Sequence, residues 1–406
     1  MKPRNSFPRR VALGAACVIL SACAHGVRDP AARTPAPCAS TSCATASTPR
    51  ADGGAGPSAA AAPGTIASTT APSLPPLADA YRGRIGRGAN IVVRLQTAPA
   101  GVTGRYFYET VGDALVLAGT TDDHGHIELT ETTRSGGVTG SFKGDRLPTG
   151  AIEGTWQSAS GGRREPFTLS PIARASGPGP VLVFKRAFRN RDRATDPIPP
   201  AFVDGRSTSC DIHVEYPEVF GLESADAEAK INEALSEEDE RDCRQPCQGE
   251  VGYGITFNRD GVLGVDVGGE HMCMLAAHPS NYEGFSATFL TRTGERLGLE
   301  RVFRHPFATY AKKLFQPAIR AMVQGTRPDG EQASASDPDA NFYRDMLADA
   351  YASPDFVLIE GGVRFDIARH LPHAFQGIAA DPTDLTFAQL KDALDPNSPI
   401  AFLWRK

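Results

Sequence analysis

The sequence predicts two folded domains in series: an N-terminal all-β meander closing into a barrel or sandwich, then an α+β domain with an antiparallel sheet packed on helices. Three observations predict it. Between Tyr81 and Ile172, short runs of β-type residues recur between glycine turns. Beyond Pro180, strand-like runs alternate with segments of helical spacing. The chain has 406 residues, 41% of them hydrophobic, enough for two or three domains with their own cores.

The first 22 residues have the form of an export signal. Lys2, Arg4, Arg9 and Arg10 make a basic start, and Val11 to Leu20 an apolar stretch too short for a permanent membrane helix. The segment closes on Leu20-Ser21-Ala22-Cys23, which resembles the bacterial lipobox. That resemblance implies diacylation of Cys23 and cleavage before it. Ala24 in second place implies transfer to the outer membrane of a Gram-negative cell, where the lipid-anchored protein faces the periplasm. Several acyl chains on one cysteine anchor stably where one does not. Removal of residues 1–22 takes four of the 42 basic residues and none of the 47 acidic ones, so the formal charge falls from −5 to −9. An acidic body steers basic partners. Without a block of Lys and Arg, it does not suit nucleic acid.

Residues 23–80 carry the lipidated cysteine and a stretch of Ala, Ser, Thr, Pro and Gly without apolar periodicity. Such a segment cannot bury enough surface to offset its ordering entropy. It reads as a tether with a reach of about 40 Å. Cys17 leaves with the signal and Cys23 takes lipid, which leaves Cys38, Cys43, Cys210, Cys243, Cys247 and Cys273 as disulfide candidates. Cys38 and Cys43 have no His or Asp ligands beside them, so a local bridge is favoured over a metal site. The other four allow three pairings, among which the sequence does not choose. Cys243-x3-Cys247 lacks a second pair at zinc spacing, and no metal or cofactor is expected.

In the β-rich module, residues 81–175, strands are predicted at Ile91–Leu95, Val102–Tyr108, Ala114–Leu117, His126–Glu131, Val138–Phe142, Ile152–Trp156 and Pro166–Leu169. Gly104, Gly140 and Gly154 each precede an aromatic residue by two positions: Tyr106, Phe142 and Trp156. A glycine there lets the strand bend while the ring fills the interior. The pattern resembles the strand openings of avidin-type and lipocalin-type meanders. Asp122, Asp123, His124 and His126 surround Gly125 at a hairpin tip, where Asp and Gly are turn residues before they are ligands.

Residues 181–406 form the mixed domain. Cys210–Val219 reads as a strand, and Ala225 to about Asp242 as a helix with Ala227, Ile231, Ala234 and Leu235 on its apolar face. Glu228, Glu233, Glu237, Glu238 and Glu240 lie on the other face, solvated or docking a cationic protein. Gly252–Asn258 and Val262–Gly268 make a hairpin through Asp260-Gly261. Strands at His271–Ala277 and Gly284–Leu290 flank the loop Ala277–Tyr282. Helices follow at Phe307–Val323, kinked at Pro317, and Ala340–Ala350. A second hairpin, Phe356–Glu360 and Val363–Ile367, turns through Gly361-Gly362.

Tyr216-Pro217, Lys230-Ile231-Asn232, Ala277-His278-Pro279, Thr293-Gly294-Glu295 and Phe365-Asp366-Ile367-Ala368 occur in that order. With them, residues 205–405 resemble the extracytoplasmic domain of RsiV-type anti-sigma factors and the non-catalytic wall module of the deacetylase PdaC. The resemblance implies direct binding of lysozyme. The chain shows neither a transmembrane helix with a sigma-binding segment nor a deacetylase domain, so the expectation narrows to a receptor or inhibitor of a basic muramidase. Its target would be host lysozyme or a rival's effector, the latter an immunity role.

The expected contacts are His278, Pro279, Asn281 and Tyr282 on one loop and His370, Pro372 and His373 on another, since loops on a rigid sheet carry recognition. The alternative is an envelope protein whose β-module binds peptidoglycan or a small ligand, with a structural C-terminal domain. No enzyme is expected: the sequence has no Gly-x-Ser-x-Gly elbow, His-Glu-x-x-His helix or Walker loop. Asp337-Pro338-Asp339-Ala340-Asn341 starts like a calcium loop but has Phe342 where glycine is required. Only a convergence of His278, His370 and His373 on one pocket would raise a hydrolase.

Overall fold

The computed structural model describes residues 74–190, 210–236, 247–273, 281–325, 338–372, 375–376 and 381–405. Thr69–Lys406 form one compact unit.

Eight strands close into a barrel: β1 (Ala80–Ile85), β2 (Ala89–Ala98), β3 (Gly101–Tyr108), β4 (Ala114–Thr121), β5 (His126–Thr132), β6 (Val138–Arg146), β7 (Ile152–Ser158) and β8 (Arg164–Pro171). Each pairs antiparallel with the next, and β1 returns to β8 from Tyr81↔Pro171 to Ile85↔Phe167. The predicted seven strands are present, and β1 completes the closure. On β5 the period of two is plain, with Ile127, Leu129 and Glu131 buried between exposed His126, Glu128 and Thr130.

Each glycine–aromatic pair serves the interior. Tyr106, Phe142 and Trp156 are all buried, with Tyr106 and Phe142 edge to face at 5.4 Å. A side chain at Gly140 would meet the Trp156 indole at 2.8 Å, so this glycine makes room for the ring. Leu77 and Ala78, expected in the tether, pack against this core. The void at its centre, bounded by residues such as Val93, Leu117, Phe142 and Phe167, is about 10 Å³, room for one water. At the Asp122 hairpin, the side chain accepts from the backbone N–H of His124 and of His126, both at 2.9 Å, as a turn residue does.

The chain then enters a five-stranded sheet of order β13-β12-β11-β10-β9, built from β9 (Leu182–Asn190), β10 (Asp211–Phe220), β11 (Cys247–Arg259), β12 (Val262–Cys273) and β13 (Asn281–Leu290). The expected antiparallel sheet is in fact mixed, because β10 and β11 run parallel. Helix α1 (Ala225–Leu235) lies between them in the chain, and a strand–helix–strand crossover returns the chain in the same direction. Ser224 caps α1 by accepting from the Ala227 N–H at 3.2 Å. Its buried Ala227, Ile231 and Leu235 join Val214, Val219 and Leu263 in one core. The predicted helix continued to Asp242, but the described one stops at Leu235 and residues 237–246 lie outside the described residues.

The β11–β12 hairpin turns through Asp260 (φ 55°) and Gly261 (φ 76°), the left-handed pair that a tight two-residue hairpin needs. The strand expected at His271–Ala277 is, where described, the tail of β12. Asn281 and Tyr282, expected in a loop, open β13 and pair with His271 and Glu270.

The remaining chain forms α2 (Leu299–Val302), α3 (Ala308–Gly325), α4 (Pro338–Ala350), β14 (Asp355–Ile359), β15 (Gly362–Asp366), a 3-10 turn (Ala368–His370), β16 (Thr383–Thr386) and α5 (Phe387–Leu390). Pro317 lies inside α3, which the structure describes as one helix. The second hairpin turns one residue early, since Gly362 already pairs with Ile359. Phe303, Phe307, Phe315, Tyr351 and Phe365 make an aromatic core, with Phe315 stacked on Tyr351 at 4.1 Å.

A buried ionic cluster joins barrel to sheet. Arg94 of β2 ion-pairs with Glu218 of β10, reaches Glu228 of α1 at 2.7 Å and donates to the Val219 carbonyl at 2.8 Å. Arg105 of β3 and Arg186 of β9 meet Glu218 at 2.9 and 2.6 Å. Glu218 and Arg186 are only 3% and 2% exposed. Burial pushes the Glu218 carboxyl up, but Arg105, Arg94 and Arg186 outweigh it and bring it down to about 2. Glu228, expected on the open face of α1, is buried and also accepts from the Leu222 N–H at 3.0 Å. Ala80, Val92, Phe107 and Phe220 form the apolar part of the same junction.

Candidate partner-binding groove

Helix α4 builds one wall of an open groove. Phe342, Asp345, Met346, Asp349 and Ala350 follow one another at helical spacing, so they share a face. Ser353, His370 and Pro372 complete the lining, and the groove encloses about 580 Å³. Leu347, on the reverse of α4, is fully buried in the aromatic core and fixes the helix's rotation. Phe342 stays 54% exposed although its ring meets Tyr343 and Phe375 at 5.7 Å each.

Asp355 positions the histidine. Its carboxylate receives Arg369 at 2.5 Å and His370 Nε2 at 3.3 Å. Burial opposes ionisation of Asp355, yet the hydrogen bond from His370 and the charge of Arg369 prevail and hold its pKa below the ordinary carboxylate value. Asp366 faces Asp355 in the β14–β15 register. There burial, reinforced by Asp266 and Asp355, raises the Asp366 carboxyl against the pull of the Ala368 N–H and of Arg369.

Of the predicted contacts, His370 and Pro372 line the groove. His278, Pro279 and His373 lie outside the described residues, so a three-histidine convergence does too. The lipidation site Cys23 and the disulfide candidates Cys38, Cys43 and Cys243 also lie outside. Cys210 and Cys247 are buried, and Cys247 pairs with Cys273 in the β11–β12 register. Among the described residues, no group of three or more His, Cys, Asp or Glu side chains is placed to hold a metal ion. Ser353 and His370 share the groove, and His370 Nε2 meets the Asp355 carboxylate at 3.3 Å. No described helix is long and apolar enough to cross a membrane.

The sequence reading missed Phe342, Asp345, Met346 and Asp349. Their spacing was the available signal. The acidic excess is also unevenly placed: residues 74–175 hold 11 basic and 10 acidic side chains, and residues 181–406 hold 24 and 35.

No family model matches the chain, and no curated protein matches it. Solved structures resemble it, among them two DUF3298 family proteins. One is a member of the DUF3298 family from Bacteroides fragilis, 10% identical, covering 57% of this chain and 99% of its own, with a TM-score of 0.35. The other is a DUF3298 family protein from Pseudomonas aeruginosa, 14% identical, covering 54% of this chain and 96% of its own, with a TM-score of 0.30. Likeness at that level carries no argument about activity or partner.

Proposed function

We propose that this chain is a lipid-anchored envelope protein that captures, and thereby inhibits, a basic lysozyme-like peptidoglycan hydrolase. It sits at the outer membrane facing the periplasm, acts by binding without a cofactor, and protects the wall from host lysozyme or a rival's effector. The observation that carries this reading is the charge distribution: the near-neutral barrel leaves the whole acidic excess on residues 181–406. A basic enzyme approaching such a body is steered to that half. Cys23 supplies the anchor. The Cys247–Cys273 register favours a bridge between those two, since paired antiparallel positions lie within disulfide reach.

The test is co-elution of the full exported chain with a C-type lysozyme and with envelope muramidases at low and at physiological salt, alongside lysis assays. Binding that weakens as salt rises is expected. Failure to bind any muramidase at low salt overturns the reading. The alternative of a small ligand within the β-module meets an interior with room for one water. Retention on purified sacculi without hydrolase binding would favour a glycan role instead.

A further inference from the structure

We infer that the groove between α4 and the 3-10 turn receives a single lysine or arginine side chain of a protein partner. This deepens the hydrolase-capture reading, on which it rests. Two features of the groove fit such a side chain. The apolar wall of Phe342, Met346 and Pro372 matches an aliphatic stem, and the carboxylates of Asp345 and Asp349 match its charged head. Both carboxylates are exposed, and neither meets a cation among the described residues.

The fold gains nothing from this arrangement. Like charges four residues apart repel on a helix. Asp349 also lies in the last turn, where the helix end is already negative and no basic residue compensates. An incoming cation relieves both penalties at once, and the half-exposed Phe342 ring lines the same groove. His370 is tied to Asp355 and does not occupy that position as a counter-ion. The occupant is therefore a basic side chain from a protein surface. A neutral glycan could donate hydroxyl hydrogen bonds to the two carboxylates but would bring them no counter-charge.

The test measures lysozyme affinity for the full chain and for two variants. One is Asp345→Lys with Asp349→Lys, and the other is Glu300→Lys with Asp392→Lys, which reverses two exposed charges outside the groove. The groove variant should lose about tenfold or more in affinity, several times the loss of the control. Asp345→Asn with Asp349→Asn should fall between. Equal losses in both reversals overturn the groove assignment while leaving hydrolase capture intact. If the wild-type chain binds neither lysozyme nor any other muramidase, capture fails, and the groove is judged by NMR titration with a hexa-arginine peptide. Perturbation centred on Phe342 and Met346 supports the site. Its absence, or the same perturbation by chitotriose alone, overturns it.

Discussion

Removing the Glu218 charge tests whether the ionic junction holds the barrel to the sheet. Glu218 receives Arg94, Arg105 and Arg186, and among the described residues Arg186 has only the Gly112 carbonyl as its other acceptor, at 3.2 Å. In Glu218→Gln the Arg186 guanidinium stays buried without a counter-charge, whereas Arg94 keeps Glu228 and Arg105 is half exposed. Breaking a buried pair from one side costs about 3–5 kcal/mol. The pKa says the same: bringing a carboxyl from the ordinary 4.5 to about 2 corresponds to stabilisation on the order of 3 kcal/mol at neutral pH. Urea unfolding, followed by Trp fluorescence and circular dichroism, should show that loss and separate barrel from sheet into two transitions. Replacing both partners, Glu218→Leu with Arg186→Met, should cost less than the single change, because no charge is stranded. A loss below about 1 kcal/mol for Glu218→Gln, or strict additivity in the double variant, would refute the reasoning.

Further outcomes follow from the same structure. Because Glu218 titrates lower when folded than unfolded, its contribution is complete above about pH 4.5 and disappears as pH falls towards about 2; the Glu218→Gln variant should lose that part of the acid dependence. Asp366 has the opposite sign: its raised pKa makes ionisation a cost at neutral pH, so Asp366→Asn, which keeps an acceptor for the Ala368 N–H, should raise the urea midpoint at pH 7. Tyr106→Phe deletes the 2.6 Å hydrogen bond to buried Glu131 and leaves that carboxylate with the Trp156 N–H at 2.7 Å; a loss of about 1–3 kcal/mol is expected in the same assay. Peptide mapping without reduction should recover Cys247 linked to Cys273, and a Cys247–Cys210 product would contradict the register argument.

Much of the barrel was legible because each strand carries its own signal. Inward residues alternate with outward ones, and Gly104, Gly140 and Gly154 mark where rings enter. β1 was missed because Arg82-Gly83-Arg84 interrupts its alternation; Gly83 is needed there because a side chain would lie 1.9 Å from the Thr168 carbonyl oxygen of β8. The parallel β10–β11 pair had a local clue, a helix between two strands, which the antiparallel hairpin after it obscured. α5 also had one: Thr386 and Gln389 form a capping box, a Thr-x-x-Gln spacing visible in the sequence. Glu228 could not be placed from its neighbours, since its burial depends on Arg94, 134 positions away. The groove falls between these cases. Its α4 wall is periodic, but its meeting with His370 and Pro372 is a tertiary fact.

A closed barrel has no first strand and no last one. Tyr81 cannot find Pro171 until the whole module has left the ribosome and any export channel, so closure is the least local event in its folding. Until then the chain is an open meander whose β1 and β8 edges can pair with another molecule; afterwards it offers none. A chain stopped before β8 is therefore not a slightly smaller barrel but a sheet with two live edges. In the order of synthesis β8 precedes residues 181–406, so the barrel is free to close before the acidic half has emerged.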